Sequence, residues 1–377
     1  MTHVDNREGR TNRLPGPFAG MVAVLAALLV FSFPPPGLAD PGAVISSMLK
    51  VPLPAELELC GEKVPLGRED VLERLEIELM VVLSNPVSTA LWFKRGERHF
   101  PLIDARIREL DLPADLRYVP VIESNLRAGA VSSARATGPW QFMRSTGRSY
   151  GLKNSSWHDD RKNWEKATDA GLRHLKDLHD QIGSWALALA GYNAGKRRVT
   201  GAMERQGEGD FYGLVLPRET ERYVFRLMAA KLIMERPGDY GIVLEEARLF
   251  PPEKGVNLRL EVSRSRLPLP VIAGAAGVSY RGLKVLNPWI SGDALPKGIY
   301  TVKIPATAGG SFRKDLARWE AANPEPKVVY YRVRKGDTLS GIAKRHGIHL
   351  RDLLAWNSLG SRSVIHPGQR IAVQRTN

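Results

Sequence analysis

The sequence predicts a mainly α-helical domain followed by two small α+β modules, each of βααβ order. Three observations carry this. From Glu69 to Leu83 the apolar residues Val71, Leu72, Leu75, Leu79, Val82 and Leu83 recur at helical spacing among charged ones. Ala186 to Ala190 is an unbroken run of Ala and Leu that suits a close-packed interior helix. A shift of 70 residues pairs Ile272 with Ile342, Gly277 with Gly347, Leu283 with Leu353, Asn287 with Asn357 and Gly298 with Gly368 without a gap, so the C-terminal part contains a repeat.

A chain of 377 residues, 43% apolar and 25% charged, has room for several domains and the composition of a folded protein. Its net charge of +14 favours an anionic partner such as nucleic acid, lipid headgroups or a carboxylate-bearing wall polymer. Residues 1–39 read as an export signal: Arg7, Arg10 and Arg13 precede an apolar run over 18–33, and Gly37-Leu38-Ala39 offers a cleavage site. An uncleaved inner-membrane anchor through residues 18–33 is the alternative, although the run is shorter than a spanning helix prefers. The signal region has no Cys, and Cys60 sits too far downstream for lipid attachment. A single Cys excludes an internal disulfide framework. Residues 40–67, rich in Pro and Gly, read as a loosely packed linker or arm.

The helical domain is expected over 68–245. Its first helix closes near Asn85-Pro86, and two more are expected over Val87–Arg95 and Phe100–Leu110 before Leu112-Pro113 breaks the chain. The next stretch, YVPVIESNLRAGAVSSARATGPWQFM, places Glu123 at the end of an apolar run with no further acid until Asp159. Withdrawn from water, such a carboxyl keeps its proton to near neutral pH and can act as a general acid, then a base. A structural pairing with Arg117 or Arg127 is the plainer account of Glu123 alone. Trp140 and Phe142 read as an aromatic wall or as core, with core preferred for Phe142; the amide of Gln141 has less reason to stand in a core. His158, His174 and His179 do not share a helical ligand face, and neither a metal nor a cofactor is expected.

The strings IES, ATGPWQFM with Tyr150-Gly151-Leu152 behind it, and ALAGYNAG occur in the order found in the lytic murein transglycosylase family, which the chain resembles from Arg68 to Met234. The resemblance implies a goose-lysozyme-like fold, with Glu123 as the single catalytic acid and base. It also implies substrate contacts from Ser124, Gln141, Met143, Tyr192, Asn193 and Tyr223. Tyr192 is expected to hold Glu123 by a phenolic hydrogen bond, Asn193 to meet an N-acetyl group, and Tyr223 to play a weaker part. Glycoside hydrolases ordinarily need two carboxylates. The motif regions supply only Glu123, which favours elimination over hydrolysis, and the resemblance implies that the product is a 1,6-anhydromuramyl end. A hydrolytic lysozyme using Asp159, Asp160 or Glu219 remains the alternative, as does a non-catalytic wall-binding scaffold.

Val328 to Val373 resembles a LysM module, and residues 328–375 are assigned to it. Thr338 or Asp337 should cap its first helix. The resemblance implies glycan contacts from Gly336, Asp337, Thr338, Leu339, Trp356 and Asn357, although Asn357 could equally fix the following turn. Residues 256–305 read as a degenerate copy whose GDTL is replaced by Arg266-Leu267-Pro268-Leu269, and 306–326 as a linker with a short helical stretch. The expected partner is peptidoglycan rather than nucleic acid, for which no motif is present, and the expected protein is a periplasmic monomer.

Overall fold

A computed structural model describes residues 41–377 apart from 246, 325–326, 362 and 377. The expected signal or anchor over 1–39 lies outside the described residues. Among the described residues, 51–377 form one compact unit and 41–50 lie outside it. In the latter, Pro41–Met48 form helix α1.

The compact unit begins with an arm that is built into the domain rather than loosely attached. Strands β1 (Glu58–Leu59) and β2 (Glu62–Lys63) make a small hairpin whose Leu59 is fully buried. The Cys60 N–H donates to Asp115 at 2.6 Å, and the thiol is buried. Glu62 accepts the backbone N–H groups of Trp185 and Ala186 and the Ser184 hydroxyl. Negative charge at a helix start is favourable.

Helix α2 spans Glu69–Leu83, as its apolar spacing predicts. The next two expected helices are one: α3 runs from Pro86 to Glu109 through Gly96 and Pro101. Asn85 caps it by accepting from Ser88, and Trp92, Phe93, Ile103 and Ile107 form its buried face. Buried residues before and after Pro101, Phe93 and Gly96 on one side and Ile103 and Ile107 on the other, outweigh the hydrogen bond it cannot make.

A 3-10 turn over Ala114–Tyr118 leads into α4 (Val119–Ser124), followed by α5 (Arg144–Ser149), α6 (Trp164–Ile182), α7 (Trp185–Ala194), α8 (Lys196–Gln206) and α9 (Arg218–Glu235). Every residue of α7 from Trp185 to Gly191 is buried. It is the central helix, with α6, α8 and α9 packed around it, and α2 lies along α9.

The first module comprises β3 (Gly255–Pro268), α10 (Leu269–Ala275), α11 (Tyr280–Leu286) and β4 (Ala294–Pro305), with the strands antiparallel. Helix α12 (Phe312–Ala322), expected within a linker, belongs to this module: Phe312 and Leu316 are buried in its core. Their spacing of four residues puts both on one helix face. Trp157 of the helical domain packs against the same core. Its carbonyl accepts the N–H groups of Ser291 and Gly292, and Asp159 N–H donates to the Trp289 carbonyl. The second module has β5 (Lys327–Arg332), α13 (Leu339–Arg345), α14 (Leu350–Trp356) and β6 (Arg370–Thr376), around a core of Val333, Ile342, Ala343, Leu353, Ile371 and Val373.

Candidate active site

Glu123 is the penultimate residue of α4. Val119, Pro120 and Val121 bury the start of this short helix, and Pro120 sits in its first turn, where its missing N–H costs nothing. The helix ends in two consecutive left-handed residues, Asn125 (φ 51°) and Leu126 (φ 57°), with Asn125 N–H returning to Val121 and Leu126 N–H to Pro120. Left-handed backbone costs a side-chain-bearing residue about 1 kcal/mol or more. Burial of Leu126 and a set of bonds from α3 offset it. Trp92 Nε1 donates to Asn125 Oδ1 at 2.7 Å, Asn125 Nδ2 donates to Ser88 Oγ at 3.0 Å, and Arg95 donates to the Asn125 carbonyl at 2.8 Å.

The acid is only partly exposed, and burial lifts its carboxyl to about 7. The Tyr223 hydroxyl, donating to Oε1 at 2.9 Å, and the Arg226 guanidinium oppose that lift, while Glu219 adds to it. Burial and the neighbouring Glu123 push the Tyr223 phenol well above its ordinary value, so it stays a donor. The two expected tyrosine roles are therefore exchanged. Tyr192 donates to the Trp140 carbonyl at 2.7 Å, not to Glu123, although Glu123 is close enough to raise its pKa. Motif spacing brings both phenols near the acid without saying which hydroxyl is aimed at it.

The other acids considered for the reaction are committed. Glu219 pairs with Arg226 at 3.3 Å, and Arg226 also reaches the buried Glu78, which bonds Arg222. Asp159 pairs with Arg161 at 2.8 Å; Asp160 accepts from Lys166, His158 and the Lys153 N–H. Arg226 escaped sequence reasoning, yet its place three residues after Tyr223 on a helix was a usable signal.

The loop after α4 returns through Gly138, whose φ is 88° and where a Cβ would lie 1.7 Å from the Arg161 carbonyl oxygen. Trp140 is core rather than wall. It is fully buried, donates to Thr168 Oγ1 at 3.1 Å, and presses on Gly171, where a Cβ would meet the ring at 2.3 Å. Phe142 is core too. Ser124, expected at the substrate, is instead buried: its hydroxyl donates to the Pro120 carbonyl and accepts from Arg127 N–H, closing the helix. Gln141 commits its amide nitrogen to the carbonyls of Gly138 and Ala130, leaving its oxygen outside these bonds. Met143 is 45% exposed. Asn193 is exposed and accepts from Thr220 at 3.0 Å, tying the end of α7 to α9. His174 is packed between Tyr150 and Tyr192, and burial lowers it to about 4, whereas His179 stacks on Trp185.

In the second module, Gly336 (φ 87°) turns the chain into α13 and Thr338 caps that helix by accepting from Gly341 N–H. Asp337 holds the turn, accepting from the Tyr331 hydroxyl, Arg334 N–H and Arg345. Asn357 serves the fold: its amide donates to the Leu353 and Ala372 carbonyls and accepts from Ala372 N–H. Leu339 packs against the module core, and Trp356 stays partly exposed.

Residues 103–214 match the transglycosylase SLT domain and residues 331–374 the LysM domain. Membrane-bound lytic murein transglycosylase D of Escherichia coli (strain K12) is 33% identical over 294 residues, 74% of this chain and 64% of that protein. The chain thus spans 64% of the length of this curated relative. Among solved structures, the lytic transglycosylase Slt of Pseudomonas aeruginosa is 22% identical, with a TM-score of 0.31, over 41% of this chain and 25% of that one. The 70 kDa soluble lytic transglycosylase of Escherichia coli is 18% identical, with a TM-score of 0.34, over 47% and 32% respectively.

Proposed function

We propose that this chain, which carries a transglycosylase SLT domain followed by a LysM domain, is a peptidoglycan lytic transglycosylase in which Glu123 is the only acid and base. The observation that carries the reading is one carboxyl group held at about 7 by burial, with a tyrosine donor on one oxygen, while Glu219, Asp159 and Asp160 are tied into ion pairs. A proton donor works best when its pKa lies near the working pH.

In this mechanism Glu123 protonates the oxygen bridging N-acetylmuramic acid to N-acetylglucosamine. The bond from C1 to that oxygen breaks and its electron pair leaves with the glucosamine. The 2-acetamido group steadies the cationic sugar. The carboxylate of Glu123 then takes the proton from the muramyl 6-hydroxyl as that oxygen bonds to C1. One C–O bond is lost, one is made, no water is consumed, and Glu123 ends protonated. Hydrolysis would require a second carboxylate to direct water. Tyr223 acts as a positioning residue, whereas Met143, Asn193 and the Gln141 amide oxygen are the sugar contacts. The LysM module, through the turn at Gly336 to Leu339 and through Trp356, holds the glycan. Action on murein places the protein in the periplasm or elsewhere in the cell envelope, reached by an export signal or anchor over 1–39.

The test is incubation of purified sacculi with the wild type and Glu123→Gln, followed by mass measurement of the soluble fragments. Anhydromuramyl products that disappear in the variant support the reading. Reducing ends would indicate a lysozyme, and no release by either protein a scaffold. Because the protonated acid starts the reaction, kcat/KM should fall as pH rises through about 7.

A further inference from the structure

A cavity of about 250 Å³ lies where the catalytic domain meets the first module. Arg95, Arg98 and Arg127 line it on one side, with Leu126 and the stacked rings of His99 and Trp164, whose centroids are 3.8 Å apart. Val285 and Lys303 face them from the module.

The charges do not balance. Lys303 is matched by Glu165 at 2.7 Å, and Arg98 by Glu253 at 4.0 Å. Arg95 and Arg127 have no carboxylate partner among the described residues. Arg95 donates to the Asn125 carbonyl and Arg127 Nε to that of Ser124, which leaves most of the five N–H donors of each guanidinium outside these bonds. Partial burial, with Arg127 and Arg98 nearby, holds Arg95 below its ordinary pKa. Two planar forks beside an apolar wall fit a carboxylate carried on an alkyl group better than a bare ion.

We infer that this cavity binds a free carboxylate of the peptidoglycan peptide stem. The choice of ligand rests on the peptidoglycan reading; the anion site itself does not. Since the same two arginines grip the carbonyls of Ser124 and Asn125, a stem seated here touches the turn directly behind Glu123. Glycan bearing stems is thereby distinguished from naked glycan.

The experiment is a calorimetric titration of full-length Glu123→Gln protein, which cannot turn over, with L-alanyl-γ-D-glutamyl-meso-diaminopimelate. Parallel titrations use the same peptide with its carboxyls amidated, and acetate and inorganic phosphate alone. The acidic peptide should bind about tenfold to a hundredfold more tightly than its amide, as expected for charge-assisted bonds. Arg127→Gln should weaken it by a similar factor. Val285→Asp, on the opposite wall, is half exposed and takes no part in the turn, so it introduces repulsion without disturbing the fold. It should also abolish the preference for the acid. Equal binding of peptide and amide, unchanged affinity in Val285→Asp, or acetate or phosphate binding as tightly as the peptide would each overturn the inference. Failure of the transglycosylase reading appears separately, as absence of anhydromuramyl products from wild-type digestion of sacculi.

Discussion

Asn287 and Asn357 stand 70 residues apart and do the same work. Asn287 donates to the carbonyls of Leu283 and Lys303 and accepts the Lys303 N–H; Asn357 does so with Leu353 and Ala372. Each amide ties the end of the second helix to the returning strand. The modules part at the turn into the first helix. The second copy spends Asp337 and Thr338 there on an exposed polar turn, whereas the first places Leu267, fully buried, and Pro268. The first copy also gives one face to the helical domain and takes α12 into its core. A repeated fold can therefore keep its interior clamp while one copy replaces its polar turn with buried residues and also docks on a neighbouring domain.

The largest effect that would test this comparison is on the clamp itself. Asn287→Ala should destabilise the first module by about 3 kcal/mol, because a buried N–H and two carbonyls lose their partner. Asn357→Ala, at a less buried position, should cost the second module somewhat less. Hydrogen exchange resolved by module measures both, and a neutral result at either position would break the equivalence. Next comes docking. Trp157→Ala should cost about 2 kcal/mol of local stability in the first module and leave exchange in the second unchanged, since Trp157 is a half-buried ring on the first core only.

A smaller effect separates the copies by pH. The Arg334 N–H, with Tyr331 and Arg345, holds the Asp337 carboxyl below its ordinary 3.8, so its contribution is fully present above that value and is lost as pH falls through the folded pKa. Acidification should loosen the turn of the second module, Asp337→Asn should remove that dependence, and the first module, with Leu267 there, should lack it. Smallest is Glu165→Ala, which removes a partly exposed pair with Lys303 and should cost under about 1 kcal/mol, read by thermal unfolding.

Amphipathic spacing made α2 legible to the residue, and the repeat made both βααβ modules legible, because these signals are periodic. The single α3 was hidden, since Gly96 and Pro101 look like punctuation when the packing that carries a helix past them is out of view. Helix α12 was read as part of a linker for a similar reason: Phe312, Leu316 and Trp319 are few, and only the module they cover reveals their purpose. At the site, sequence picked out Glu123 and both tyrosines but not which phenol donates to the acid, a matter of ångström-scale direction. Ser124 beside the acid and Trp140 in the ATGPWQFM string looked like substrate-facing groups, and both turned out to hold the backbone or the core.

Glu62 sets a limit on how the chain can be trimmed. A fragment begun at residue 68, where the helical pattern starts, would strip the carboxylate from the opening amides of α7 and leave Leu59 no longer filling its place. One ended at residue 214 would also discard Tyr223 and with it the donor on Glu123. The smallest excisable piece that keeps the acid in its setting runs from about the start of the compact unit through α9, well beyond the span that announces the domain by likeness.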